Sequence, residues 1–290
     1  MAIRVIVGYD GSPAAAAAID AGAALFPQAH VWITHLWTPP FASESLRRRL
    51  WTGAADIHQF IEAIEREGEA EARRLADRGV RLARTTGWNA EPLVRRVYGG
   101  EGLYFAQLAE ELDADLVLVG SHGLGGARAV LGSVSDVVVH YTLRPVLVVP
   151  HPLLSAEQAA LAHGPVLIGW DGSPGAEAAF AAAGRLLPGR NMVIVSVDGA
   201  DIPSPAGSQS PTGGKTVDRL DVASGSGASG RAVAKALGSC ARSRGAAALV
   251  VGSRGRSAVR EILTGSVAMA TLHHAHRPVI VVPRPHEGSK

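Results

Sequence analysis

The chain has a single cysteine, Cys240, so no disulfide can form within it and a buried structural thiol is the expected role. Charge of one sign is equally scarce. The 28 basic and 26 acidic residues leave a net +2, too weak a field to attract a nucleic-acid backbone or an anionic membrane. No nucleic-acid partner is expected. No apolar run approaches the roughly 18 residues that cross a bilayer. The opening Ile3-Arg4-Val5-Ile6-Val7, with an alanine stretch bracketed by Asp10 and Asp20, lacks the layout of a secretion signal. A chain with no membrane span, located in the cytoplasm, is the expectation. No spacing pairs a nucleophile with its base or two carboxylates for acid–base work, so no catalytic residue is assigned and a binder is expected rather than an enzyme. His273, His274 and His276 cluster, but successive helical positions face apart and no neighbouring ligands complete a set, so no metal site is expected.

What is present is an apolar fraction of 47% against 19% charged residues, over 290 residues, enough for two packed domains of ordinary size. An internal repeat supports that division. Val5-Ile6-Val7-Gly8-Tyr9-Asp10-Gly11-Ser12-Pro13 returns as Val166-Leu167-Ile168-Gly169-Trp170-Asp171-Gly172-Ser173-Pro174. Leu116-Val117-Leu118-Val119-Gly120-Ser121-His122-Gly123 returns as Ala248-Leu249-Val250-Val251-Gly252-Ser253-Arg254-Gly255. Arg144 to Pro150 returns as Arg277 to Pro283. The expected organisation is a first domain over 1–150, a linker over 151–164, a second domain over 165–284 and a tail over 285–290.

The Val/Ile/Leu runs are apolar without alternation, as strands covered on both faces are, and helical patterns separate them. The helices are expected over 14–25, 53–84, 103–112, 176–187 and 231–242. The fold class predicted is α/β, with two tandem doubly wound parallel-sheet domains of Rossmann-like type. The second copy is shorter between its Asp turn and its glycine loop. In place of the long 53–84 helix stands 199–215, rich in Gly, Ser and Pro, so that copy is expected to lack a crossover helix. Arg47-Arg48-Arg49 reads as a surface loop or partner contact.

In each Asp-Gly-Ser-Pro turn, glycine permits a sharp backbone, serine can cap a helix and proline suits its first position. Such turns fall at the carboxyl ends of strands, where open α/β sheets bind ligands. Gly120, Gly123, Gly132 and Ser133, and again Gly252, Gly255, Gly265 and Ser266, read as strand, glycine loop and helix start, which suits an anion held by main-chain N–H groups. A plain helix-capping turn and a plain strand–helix turn are the alternative readings.

Taken together, Asp10-Gly11-Ser12, Gly120-x2-Gly123 and Gly132-Ser133, with their repeats, resemble the universal stress protein family over nearly the whole chain. ATP-binding members carry Gly-x2-Gly-x9-Gly-Ser/Thr. The second copy matches this, with nine residues between Gly255 and Gly265, and the first is one residue short between Gly123 and Gly132. The resemblance implies that Asp10 and Asp171 contact an adenine, with the backbone near Leu36 and Val197, and that Gly11, Ser12, Gly172 and Ser173 belong to the same nucleotide-binding turns. The glycines, Ser133 with Val134, and Ser266 with Val267 would hold ribose and phosphates. The implied ligand is ATP, with Mg2+, acting as a regulatory signal in a stress response. The implied partners are a second copy in a homodimer and a protein not named by the sequence. The closing strands of the two copies are expected to pair edge to edge. Two other readings stay open: an adenine-nucleotide-dependent enzyme of the related superfamily, and a nucleotide-free scaffold.

Overall fold

The computed structural model describes residues 2–41, 43–121, 131–199, 202–205, 217–225, 229–253 and 265–284. The first copy runs β1 (Arg4–Gly8), α1 (Pro13–Leu25), β2 (His30–Trp37), α2 (Glu44–Trp51), α3 (Ile57–Thr85), β3 (Asn89–Arg96), α4 (Glu101–Glu111), β4 (Leu116–Gly120), α5 (Ser133–Tyr141) and β5 (Val146–Val149). After α6 (Ser155–His163), the second runs β6 (Val166–Gly169), α7 (Pro174–Leu186), β7 (Met192–Val197), β8 (Val217–Val222), α8 (Gly230–Ser243), β9 (Ala248–Gly252), α9 (Ser266–His274) and β10 (Val279–Val282).

All ten strands form one sheet in the order β3-β2-β1-β4-β5-β10-β9-β6-β7-β8. Within each copy neighbouring strands are parallel. The copies meet through β5 and β10, which pair antiparallel with Val148 opposite Val279 and Val146 opposite Val281. The edge pairing expected from the sequence is therefore present, and each closing strand covers the other's open edge.

Strand residues alternate between two layers. Val5, Val7, Leu118, Ile168 and Ile280 pack under α1, α3, α6 and α7, whereas Ile6, Val117, Leu167, Val195 and Val281 pack under α4, α5, α8 and α9. Burial on both faces is why the strand sequences show no polar alternation.

Two departures from the sequence reading have local causes. The basic run Arg47-Arg48-Arg49 lies in α2, which Ser43 caps by accepting from Leu46 N–H, and is not a loop. The linker contains α6, which buries Leu161 against α1. It also buries Glu157, whose negative charge favours the charged form of the buried Arg277, although desolvation is the larger effect and pushes that guanidinium down. Between β7 and β8 the described residues form no helix. There Trp170 replaces the Tyr9 of the first copy, packs with Ile202, and donates through Nε1 to the Pro203 carbonyl at 2.8 Å. A larger ring thus covers ground that α3 covers in the first copy, where Gly79 brings that helix against Tyr9.

Candidate functional site

The Asp-Gly-Ser turns are built alike. Asp10 accepts from Ser12 N–H at 2.9 Å, and Ser12 Oγ accepts from Ala15 N–H at 3.1 Å, capping α1. In the second copy Asp171 accepts from Ser173 N–H at 3.0 Å, and Ser173 Oγ accepts from Ala176 N–H at 3.2 Å. Gly11 and Gly172 have φ of 80° and 71°, a region that costs other residues energy. Both serines are buried and spent on capping, which in the first copy leaves Asp10 as the turn's side chain at the cleft.

A cleft of about 180 Å³ opens at the carboxyl ends of β1, β2 and β4. Asp10, Leu36, Gly120, Gly132, Ser133 and Val134 all line it. Six residues chosen from separate stretches of sequence thus converge on one cavity. Gly11 and Ser12 adjoin it without lining it. Gly123 lies outside the described residues. The lining also includes residues that the motifs did not mark: Tyr9, Thr34, His35, Glu101 and Phe105 among them. His35 stands next to Leu36 on β2 and was within reach of sequence reasoning. Glu101 and Phe105 belong to α4, which only the fold brings over.

Two of the helices that start at this cleft carry no side-chain cap. Side chains of Ser12, Ser43, Asp56, Ser173 and Ser229 cap α1, α2, α3, α7 and α8. By contrast, α4 begins at Gly100 and α5 at Gly132, both without a side-chain cap. Their first-turn N–H groups lack intrahelical acceptors and carry the positive end of the helix dipole. Hydrogen bonds hold α5 in place: Gly132 N–H donates to the Ser121 carbonyl at 2.7 Å, and Ser135 Oγ to the Gly120 carbonyl at 2.8 Å. Ser133 and Val134 remain exposed.

Gly120 has a second reason to be glycine. A Cβ there would lie 2.8 Å from the backbone of Ala14, and one on Gly252 would lie 2.5 Å from that of Gly175. These two glycines let β4 and β9 approach α1 and α7, whether or not a ligand is bound.

In the second copy, Asp171, Val197 and Gly252 occupy the equivalent strand ends, and α9 begins at Gly265 with no side-chain cap. Gly255 lies outside the described residues. The surroundings diverge. Leu237 packs beside Gly169 as Phe105 does beside Gly8, which aligns α8 with α4 and shows that α8 starts one turn earlier. That added turn abuts α9, and a Cβ on Gly230 would lie 2.6 Å from Ser266 Oγ. Val267, next along α9, is packed against the hydrophobic core. The position of His35 is taken by Ser196, fully buried.

The universal stress protein family model matches residues 1–150 and 227–283. A universal stress protein of Mycolicibacterium smegmatis is 28% identical over 96% of this chain and 96% of its own. One from Mycobacterium tuberculosis is 32% identical over 58% of this chain and 62% of its own. Among solved structures, a universal stress protein from Archaeoglobus fulgidus covers 97% of this chain and 98% of its own, at 17% identity and a TM-score of 0.66.

Proposed function

We propose that this chain, which belongs to the universal stress protein family, binds ATP in the cleft of its first copy and uses occupancy as a regulatory signal in a stress response. The observation that carries this reading is the convergence of two uncapped helix starts, those of α4 and α5, with the Asp10 turn in a single cleft. Main-chain N–H groups at Ser133 and Val134 suit the phosphates. Leu36, Phe105, Val119 and Val134 offer apolar surface for a base, and Asp10 and His35 offer polar atoms at its edge. The described lining holds no lysine or arginine, and two carboxylates, Asp10 and Glu101, are present. Mg2+ accompanying the phosphates would offset that negative charge, with no residue assigned as its ligand.

The role is binding that shifts a conformational or partner equilibrium rather than metabolic chemistry. A cytoplasmic setting, a homodimer and a protein partner belong to the same proposal. The second copy has the framework of a site but sets the extra turn of α8 against Ser266, so the first cleft is expected to dominate. Calorimetric titration with ATP and Mg2+ tests this. One nucleotide per chain is expected, lost in Ser133→Glu and kept in Ser266→Glu. A carboxylate at a helix start is compatible with the dipole but repels phosphate. Absence of heat and of retained nucleotide at millimolar ATP would leave the scaffold reading in its place.

A further inference from the structure

One side chain of the cleft has its proton position set by the fold. His35 Nδ1 lies 2.9 Å from the carbonyl oxygen of Tyr9, the residue directly before Asp10. A carbonyl can only accept, so Nδ1 is the atom that carries hydrogen. In the neutral ring Nε2 is then a lone-pair acceptor, as the two nitrogens divide these roles between them. No described residue occupies Nε2, and the ring, half-buried, lines the cleft.

Asp10, the residue after Tyr9, is another polar side chain of the lining. One carboxylate oxygen accepts from Ser12 N–H at 2.9 Å, and an ionised carboxylate has nothing to donate. These two side chains at the end of β1 and β2 therefore present acceptors only. Such a pair satisfies a base edge that carries N–H donors. A base with a carbonyl at that place would set acceptor against acceptor and leave both unpaired, a cost that hydrogen-bonding sites use for discrimination.

The second copy shows what the arrangement looks like without this reader. Tyr9 N–H donates to Thr34 and Trp170 N–H donates to Val195, which places Ser196 where His35 stands. The Ser196 hydroxyl is buried without a hydrogen-bond partner, and no imidazole clasps the Trp170 carbonyl.

We infer that His35 is a specificity-determining residue of the first cleft: through Nε2, alongside the Asp10 carboxylate, it selects 6-aminopurine nucleotides over 6-oxopurine nucleotides. This rests on the nucleotide reading of the cleft, and goes beyond it by assigning the discrimination to one ring nitrogen.

The test combines 15N NMR of the histidine rings with titrations of ATP and ITP, which differ at the purine 6-position, at pH 8, above the usual imidazole range. The wild-type chain is expected to show His35 as the Nδ1–H tautomer, with the Nε2 resonance moving on addition of ATP. ATP is expected to bind about tenfold more tightly than ITP. In His35→Asn the amide can keep the bond to the Tyr9 carbonyl but places no atom at Nε2, so the ATP-to-ITP ratio should fall close to one. An Nε2–H tautomer, an Nε2 resonance indifferent to ATP, or an unchanged ratio in the variant overturns the assignment. If ATP still binds the wild type in those cases, the role of His35 falls and the nucleotide cleft stands. If neither nucleotide binds the wild type, both fall. Should His35→Asn not fold, the wild-type tautomer and its response to ATP decide the matter.

Discussion

Arg190 reaches across the molecule to Ala24: its Nη2 donates to the Ala24 carbonyl at 3.1 Å although 166 positions separate them. The same nitrogen donates to the Leu161 carbonyl at 2.6 Å, and Nη1 to that of Gly164 at 3.3 Å. One guanidinium from the second copy thus satisfies carbonyls at the ends of α1 and α6, where helices leave acceptors unpaired.

Replacing it should loosen the junction between the copies. Arg190→Ala is expected to cost about 2 kcal/mol, since bonds from a charged donor to partly buried carbonyls are lost together. Arg190→Lys should recover only part, because an ammonium lacks the planar fork that serves several acceptors. Urea denaturation checks this, and equal stability of all three proteins counts against it.

Gly120→Ala and Gly252→Ala should each destabilise by about 1–3 kcal/mol through overpacking against α1 and α7. Gly53→Ala, where a Cβ meets only the Leu50 carbonyl at 3.9 Å, is the comparison and should be close to neutral. Thermal melts without any nucleotide distinguish this from a ligand effect. If the strand-end glycines tolerate alanine as Gly53 does, the close-approach argument is wrong.

Acid sensitivity should localise in part to Asp113. Bonds from Arg4, at 2.6 Å, and from Arg144, at 3.0 Å, hold its carboxyl below the usual aspartate value. A depressed folded-state pKa gives stability that is present above the unfolded value and is lost as pH falls through the folded one. Asp113→Asn should therefore flatten the decline in stability below about pH 4, and by a small margin because the pair is exposed. Parallel wild-type and variant curves through that region would contradict the assignment.

Arg219, on β8, anchors the segment after β7 by donating to the carbonyls of Ile202 and Gly199 and to the Ser204 hydroxyl. Arg219→Ala should make cleavage within 198–217 by a nonspecific protease several-fold faster while leaving the first copy intact. Cleavage at an unchanged rate would show that the Trp170 contact to Pro203 suffices alone.

Much of this is legible in the sequence alone. The repeat, the strand runs and the serine-capped turns follow from local rules, and the sequence motifs found six cleft residues because glycine and aspartate punctuate strand ends. Other features depend on distance. Glu101 and Phe105 enter the cleft only because the sheet order sets β4 beside β1, and nothing in their own neighbourhood announces it. The matched glycine spacing of the second copy carried no warning that α8 begins a turn early and abuts Ser266. The helix α6 escaped notice because its alanine-rich sequence reads as a connector, and only packing on α1 reveals the need for Leu161. Gly120 illustrates the converse: the residue was found, but its sequence could not separate close approach to Ala14 from service to a ligand.

The antiparallel seam between β5 and β10 sets the two copies head to tail. Their Asp turns consequently look out from opposite rims of one continuous slab. Five strand spacings separate β1 from β6, roughly 24 Å sideways before the offset along the strands is added. A small molecule lodged at one rim cannot touch the other. Any cross-talk between the rims has to pass through the sheet and the helices packed on it, the Arg190 contact to Ala24 included.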